Sequence, residues 1–170
     1  MVTLELCFIA GRFHSTPWDK HVNEGVVEWP ISPWRILRAL VAVGFRKLGW
    51  NPMNPPKEAR ELIEMLSQEP PQYFLPRVST GHTRHYMPKY RSIIDGKTDK
   101  VIDAFVALDP KDPVVVHWPS VELEKDKYRL LSDLVSNLSY LGRAESWVEA
   151  RLLEEWNGEP NAKPVDERDT

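Results

Sequence analysis

The chain has 170 residues, of which 42% are hydrophobic and 28% charged, and its formal net charge is −3. This composition gives one globular domain with a real core; it excludes a disordered chain and argues against a uniformly basic nucleic-acid binder. The single cysteine, Cys7, excludes an internal disulfide and any multi-cysteine zinc site, and no run is long and apolar enough to span a bilayer. The N-terminus lacks the features of a signal peptide, so the cytoplasm is the expected location, with no membrane partner. Net charge hides an uneven distribution. Arg77, Arg84, Lys89, Arg91, Lys97 and Lys100 crowd the centre against Asp95 and Asp99, and the acids gather from Glu122 onward.

In chain order, residues 2–10 alternate about Leu4, Leu6 and Phe8 and predict a first strand, broken by Gly11. Residues 12–31 have no period and predict a long structured loop containing His14, Trp18, His21, Asn23, Glu24 and Trp29. Ser32 and Pro33 then suit the cap and first turn of a helix that runs to about Leu48 and stops at Gly49. Trp34, Leu37, Leu40, Val41 and Phe45 form its apolar stripe. Arg35, Arg38 and Arg46 share another side, which is either a solvated face or a row facing RNA.

Residues 57–67 predict a second helix, ended by Pro70 and Pro71, and residues 73–78 a short edge strand interrupted by Pro76. Residues 79–100 are the basic segment, with Asp95-Gly96 as a turn signal. Residues 101–108 and 114–118 predict two strands paired as a hairpin. A helix over 123–141 capped by Gly142, a last strand over 146–152 and a polar tail or linker over 157–170 complete the chain. The order predicts an α+β fold on the ferredoxin-like (RRM-like) β-α-β-β-α-β plan, spanning residues 1–156, with a basic hairpin or thumb inserted at 79–100. Both main helices would cover one sheet face and leave the other available.

Three segments carry chemistry. In the first, His82, Arg84, His85, Tyr86, Lys89, Tyr90 and Arg91 interleave cations with rings, the pairing that phosphates and unstacked bases require; a loop with packed tyrosines and solvated charges is the alternative. His82 and His85 also suit the acid and base of a metal-independent ribonuclease, and they are the candidate catalytic pair. Two imidazoles without a cysteine or an acidic cluster fall short of a zinc site, so neither a metal nor another cofactor is expected. The His14, His21, Asn23 and Glu24 group falls short in the same way, and His117, on a strand beside Trp118, reads as structural. Lastly, Gly142-Arg143-Ala144-Glu145-Ser146 is either a loop that presents a guanidinium and backbone N–H groups to a phosphate or a plain cap with an Arg143–Glu145 surface pair.

Several stretches together resemble a known family. They are Gly11-Arg12-Phe13-His14 with Thr16-Pro17-Trp18, His21-Val22-Asn23-Glu24-Gly25, and Glu28-Trp29-Pro30 running into Ser32-Pro33-Trp34-Arg35. They continue with Gly81-His82-Thr83-Arg84-His85-Tyr86-Met87-Pro88, Asp103-Ala104-Phe105 and Leu141-Gly142-Arg143 followed by Ser146-Trp147. The set is similar to the Cas-five-like part of the fused Cas-five/Cas-six subunit of type I-G CRISPR–Cas systems, in the RAMP superfamily. The resemblance implies a subunit that holds the repeat-derived handle of CRISPR RNA in a Cascade-like antiviral complex. Its implied partners are backbone (Cas-seven-type) and large subunits and a Cas-six-like half, with target DNA met only indirectly. The implied RNA-binding set is Arg12, His14, Arg35, Arg38, His82, Arg84, His85, Tyr86, Lys89, Tyr90, Arg91, Arg143 and Ser146. The Cas-six-like half, expected to cut precursor RNA, has no counterpart in these residues. Two other readings stand beside this one: an endoribonuclease acting on precursor RNA, and a scaffold domain whose tryptophans form a protein interface.

Overall fold

The computed structural model describes residues 1–88 and 98–165. Lys89, Tyr90, Arg91 and the Asp95-Gly96 turn lie outside the described residues. The fold is α+β, with two antiparallel sheets and three helices.

The larger sheet holds β1 (Val2–Cys7), β3 (Gln72–Phe74), β6 (Val114–Trp118) and β7 (Glu149–Leu153) in the order β3-β6-β1-β7, with every neighbouring pair antiparallel. Leu4 stands opposite Val116 on one side and Leu152 on the other. Val2, Leu4 and Leu6 therefore share one face, as the two-residue period of a strand requires. That face packs on α1 (Pro33–Arg46), α2 (Lys57–Gln68) and α3 (Lys125–Ser136) through Leu37, Leu40, Leu62, Leu66, Leu131 and Leu134. Two buried polar groups tie the layers together: Trp118 Nε1 donates to the Leu66 carbonyl at 3.1 Å, and the Tyr73 hydroxyl to that of Ile31 at 2.7 Å. Burial holds the Tyr73 phenol well above its ordinary pKa, so it remains a donor.

The second sheet departs from expectation. Its order is β2-β5-β4, from β2 (Arg12–Phe13), β5 (Thr98–Leu108) and β4 (Val78–Pro88). β5 does not pair with β6. It pairs with β4 along its whole length, from Val78↔Leu108 to Pro88↔Thr98. The connection at 109–113 is instead a turn that carries the chain from one sheet to the other; Asp109 accepts from the backbone N–H groups of Lys111 and Asp112. All five residues of β6 are buried, which suits an interior strand between β1 and β3 rather than half of an exposed hairpin. Residues 79–88 and 98–100 thus belong to a two-stranded antiparallel ribbon that lies in chain order between β3 and β6 of the larger sheet.

α1 begins at Pro33 as expected. The Ser32 carbonyl, rather than its hydroxyl, meets the first free N–H groups. α3 is shorter than its apolar pattern implies and ends at Ser136. Asn137 turns back to the Asp133 carbonyl at 2.8 Å, while Lys47 Nζ takes the Asn137 carbonyl. Leu138 and Leu141 remain buried, but in an extended segment that pairs with residues 146–148. Gly142 consequently lies in the turn between them and not at the helix end. Its φ is +85°, and a Cβ there would stand 2.5 Å from the His14 carbonyl oxygen.

The sheet face away from the helices is partly closed. Thr3 Oγ1 and His117 Nδ1 are 2.8 Å apart, the Trp156 ring lies 5.0 Å from the His117 ring, and Arg151 pairs with Glu5. The polar tail is also not a frayed end where it is described. The Asn161 side chain bonds both the N–H and the carbonyl of Leu75 at 2.8 Å, and Ala162 bridges to Tyr73. No helix among the described residues is long and apolar enough to cross a membrane.

Candidate nucleic-acid interface

Cross-strand partners in an antiparallel pair point the same way, so the β4–β5 register sorts the ribbon into two faces. His82↔Ala104, Arg84↔Ile102 and Tyr86↔Lys100 place His82, Arg84, Tyr86 and Lys100 on one side. Thr83↔Asp103 and His85↔Val101 fall on the other. Residues 82–88 are all exposed, Tyr86 by 64%. Among the described residues no carboxylate forms an ion pair with Arg84.

This sorting separates His82 from His85. An acid and a base must converge on one reacting nucleotide, and these two side chains leave opposite faces of the same strand. The same divergence denies them a shared metal. Among the described residues no group of three or more His, Cys, Asp or Glu side chains stands ready to hold an ion.

The other side of the ribbon carries a polar cluster around Asp103. Its Oδ2 lies 3.1 Å from His85 Nε2, and its Oδ1 accepts from Arg143 Nη1 at 2.9 Å. His14, 5% exposed, bonds Glu145 through Nδ1 at 2.8 Å and turns Nε2 toward Asp103 at 3.9 Å. Ser146 Oγ accepts the His14 N–H at 2.8 Å, and the Arg143 N–H donates to the His14 carbonyl at 2.9 Å. His14 and Ser146 therefore join the 142–146 turn to the start of the first loop. Arg143 pairs with Asp103, and Glu145 with His14, so the expected Arg143–Glu145 pair does not form.

The arginines of α1 divide similarly. Arg35 is fixed by Glu28, Nε to Oε2 at 2.6 Å, and donates to the Thr16 carbonyl at 3.0 Å, so it braces the long loop against the helix. Arg38 is exposed and stacks 5.2 Å from the Trp18 ring centroid. Arg12, also exposed, lies 5.7 Å from the Phe105 ring.

Of the expected RNA-binding set, Arg84 and Tyr86 do not converge with Arg143: they occupy the opposite side of the ribbon from Asp103 and its partner Arg143, and Lys89 lies outside the described residues. Sequence reasoning missed Asp103 as a site residue. Its signal is the two-residue spacing of His85 and Thr83, which has meaning only once β5 is known to be the partner strand. No protein-family model matches the chain, and no curated protein matches it.

Proposed function

We propose that this chain is a non-catalytic, RNA-binding subunit of a CRISPR effector complex, Cas-five-like and ferredoxin-like in plan. The observation that carries the reading is the far end of the ribbon, where Arg84, Tyr86 and Lys100 stand exposed on one face, with His82 next along β4. Cations spaced along an extended strand suit phosphates, and the ring between them suits an unstacked base. The β-α-β-β-α-β order of β1, α1, β3, β6, α3 and β7, with β1 and β6 at the sheet centre, supports the ferredoxin-like plan. The divergence of His82 and His85 favours binding over cleavage.

The test is a fluorescence-anisotropy titration of the purified chain with repeat-derived single-stranded RNA at several salt concentrations. The expected result is binding that weakens with salt and falls about tenfold or more in Arg84→Ala/Lys100→Ala, on the order of 1 kcal/mol per phosphate contact. Unchanged affinity in that variant, or RNA cut in the presence of EDTA, would overturn the reading.

A further inference from the structure

A groove of about 320 Å3 runs along α1 on the helical side of the molecule, between that helix and residues 138–142. Its chemistry is uniform in sign. Arg35, Arg38, Arg46 and Lys47 line it, and no carboxylate does. Arg35 is occupied by Glu28, whereas neither Arg38 nor Arg46 has an ion-pair partner among the described residues. Clustered cations without counter-charges repel one another, so such a groove attracts anions from solution.

Two aromatic rings mark its length. Trp18, 67% exposed, stacks on Arg38, and the Tyr140 hydroxyl accepts a hydrogen bond from Arg46 at 3.4 Å. One turn of helix after another, Ala39 and Ala42 keep the helix side of the groove shallow between the two arginines. Arg38 and Arg46 are eight residues apart on α1, about 12 Å along the axis at 1.5 Å per residue. A ligand with two anionic groups in line matches that spacing, one group beside Trp18 and the other beside Tyr140.

Resting on the RNA-binding reading, we infer that this groove is a second contact for RNA. It takes a short single-stranded RNA segment, with phosphates on Arg38 and Arg46 and bases against Trp18 and Tyr140. A ring beside each guanidinium distinguishes this ligand from free phosphate, which needs no stacking surface, and a concave channel distinguishes it from a membrane surface. Gly142 lines the channel, and the next residue, Arg143, reaches Asp103 on β5, so the channel approaches the ribbon from the side opposite Arg84 and Tyr86.

The experiment uses the full chain with an oligouridylate carrying 5-iodouridine, in wild type, Arg38→Glu/Arg46→Glu, Trp18→Ala and, on the ribbon, Arg84→Glu/Lys100→Glu. Arg38 and Arg46 are exposed, so the groove variant should melt like wild type. Affinity about tenfold or more weaker in the groove charge variant, a smaller loss in Trp18→Ala, and photocrosslinks on the peptides bearing Trp18 or Tyr140 are the expected results. If the groove variants bind as wild type and crosslinks fall elsewhere while the ribbon variant is weakened, the groove assignment is wrong and the RNA-binding reading survives. If wild type binds no RNA, both fall together.

Discussion

Asp103 and Arg143, forty residues apart, meet at 2.9 Å where the ribbon crosses the turn after α3. The carboxylate also faces His85 and, at longer range, the buried His14. One acid thus holds three basic side chains from three segments. Asp103→Ala should cost about 1 kcal/mol of stability, because it removes the bond from Arg143 to a largely buried carboxylate, while Arg143 and His85 keep access to water. Urea unfolding monitored by tryptophan fluorescence measures the cost; a midpoint equal to wild type would show that the cluster is surface ornament.

Gly142 is irreplaceable for two separate reasons, its positive φ and the His14 carbonyl against its Cα. Gly142→Ala should destabilise by about 2 kcal/mol or more, the combined cost of a left-handed alanine and a displaced backbone. Gly49, also at positive φ but with nothing near its Cα, serves as control: Gly49→Ala should lose about 1 kcal/mol. Equal losses at the two positions would remove the steric part of the argument.

Arg35 and Glu28 form a part-buried pair that fixes the first loop. Arg35→Gln should lower stability by about 1–2 kcal/mol and leave RNA affinity within about twofold of wild type. Calorimetry and the anisotropy titration run on the same protein decide it. A large affinity loss without a stability loss would return Arg35 to the RNA-contacting set.

His117 provides a pH signature. Burial first, and the positive amino terminus second, lower its pKa below the ordinary 6.5. The unfolded chain then takes up a proton near pH 6.5 that the folded chain refuses. The contribution of His117 to stability is therefore complete above about pH 6.5 and is lost as the pH falls below it. His117→Gln keeps a polar partner for Thr3 and does not titrate. The stability gap between wild type and this variant should narrow on acidification from pH 7 to pH 5.5, and a constant gap would refute the linkage.

Local signals in the sequence were enough for β1, α1 and α2. A two-residue period, a Ser-Pro start and a proline stop each act within a few residues. What failed was partner choice. Val101–Leu108 and Val114–Trp118 both read as strands, but nothing within either shows that one joins β4 and the other lies between β1 and β3. The α3 boundary failed for a related reason. Leu134, Leu138 and Leu141 keep a helical spacing, and only the side chain of Lys47, ninety residues earlier, takes the Asn137 carbonyl where the helix ends. The candidate site inherited both errors: Arg143 was visible as a cation, while the acid that holds it was visible only as a residue of an apolar strand.

The amide of Asn161 occupies both backbone hydrogen-bonding groups of Leu75, just beyond β3. With Ala162 bridged to Tyr73, that margin of the larger sheet has no free ladder to offer another polypeptide. Concatenation of copies strand-to-strand is blocked there by the protein's own backbone, and lateral growth of this sheet is left to the β7 rim alone.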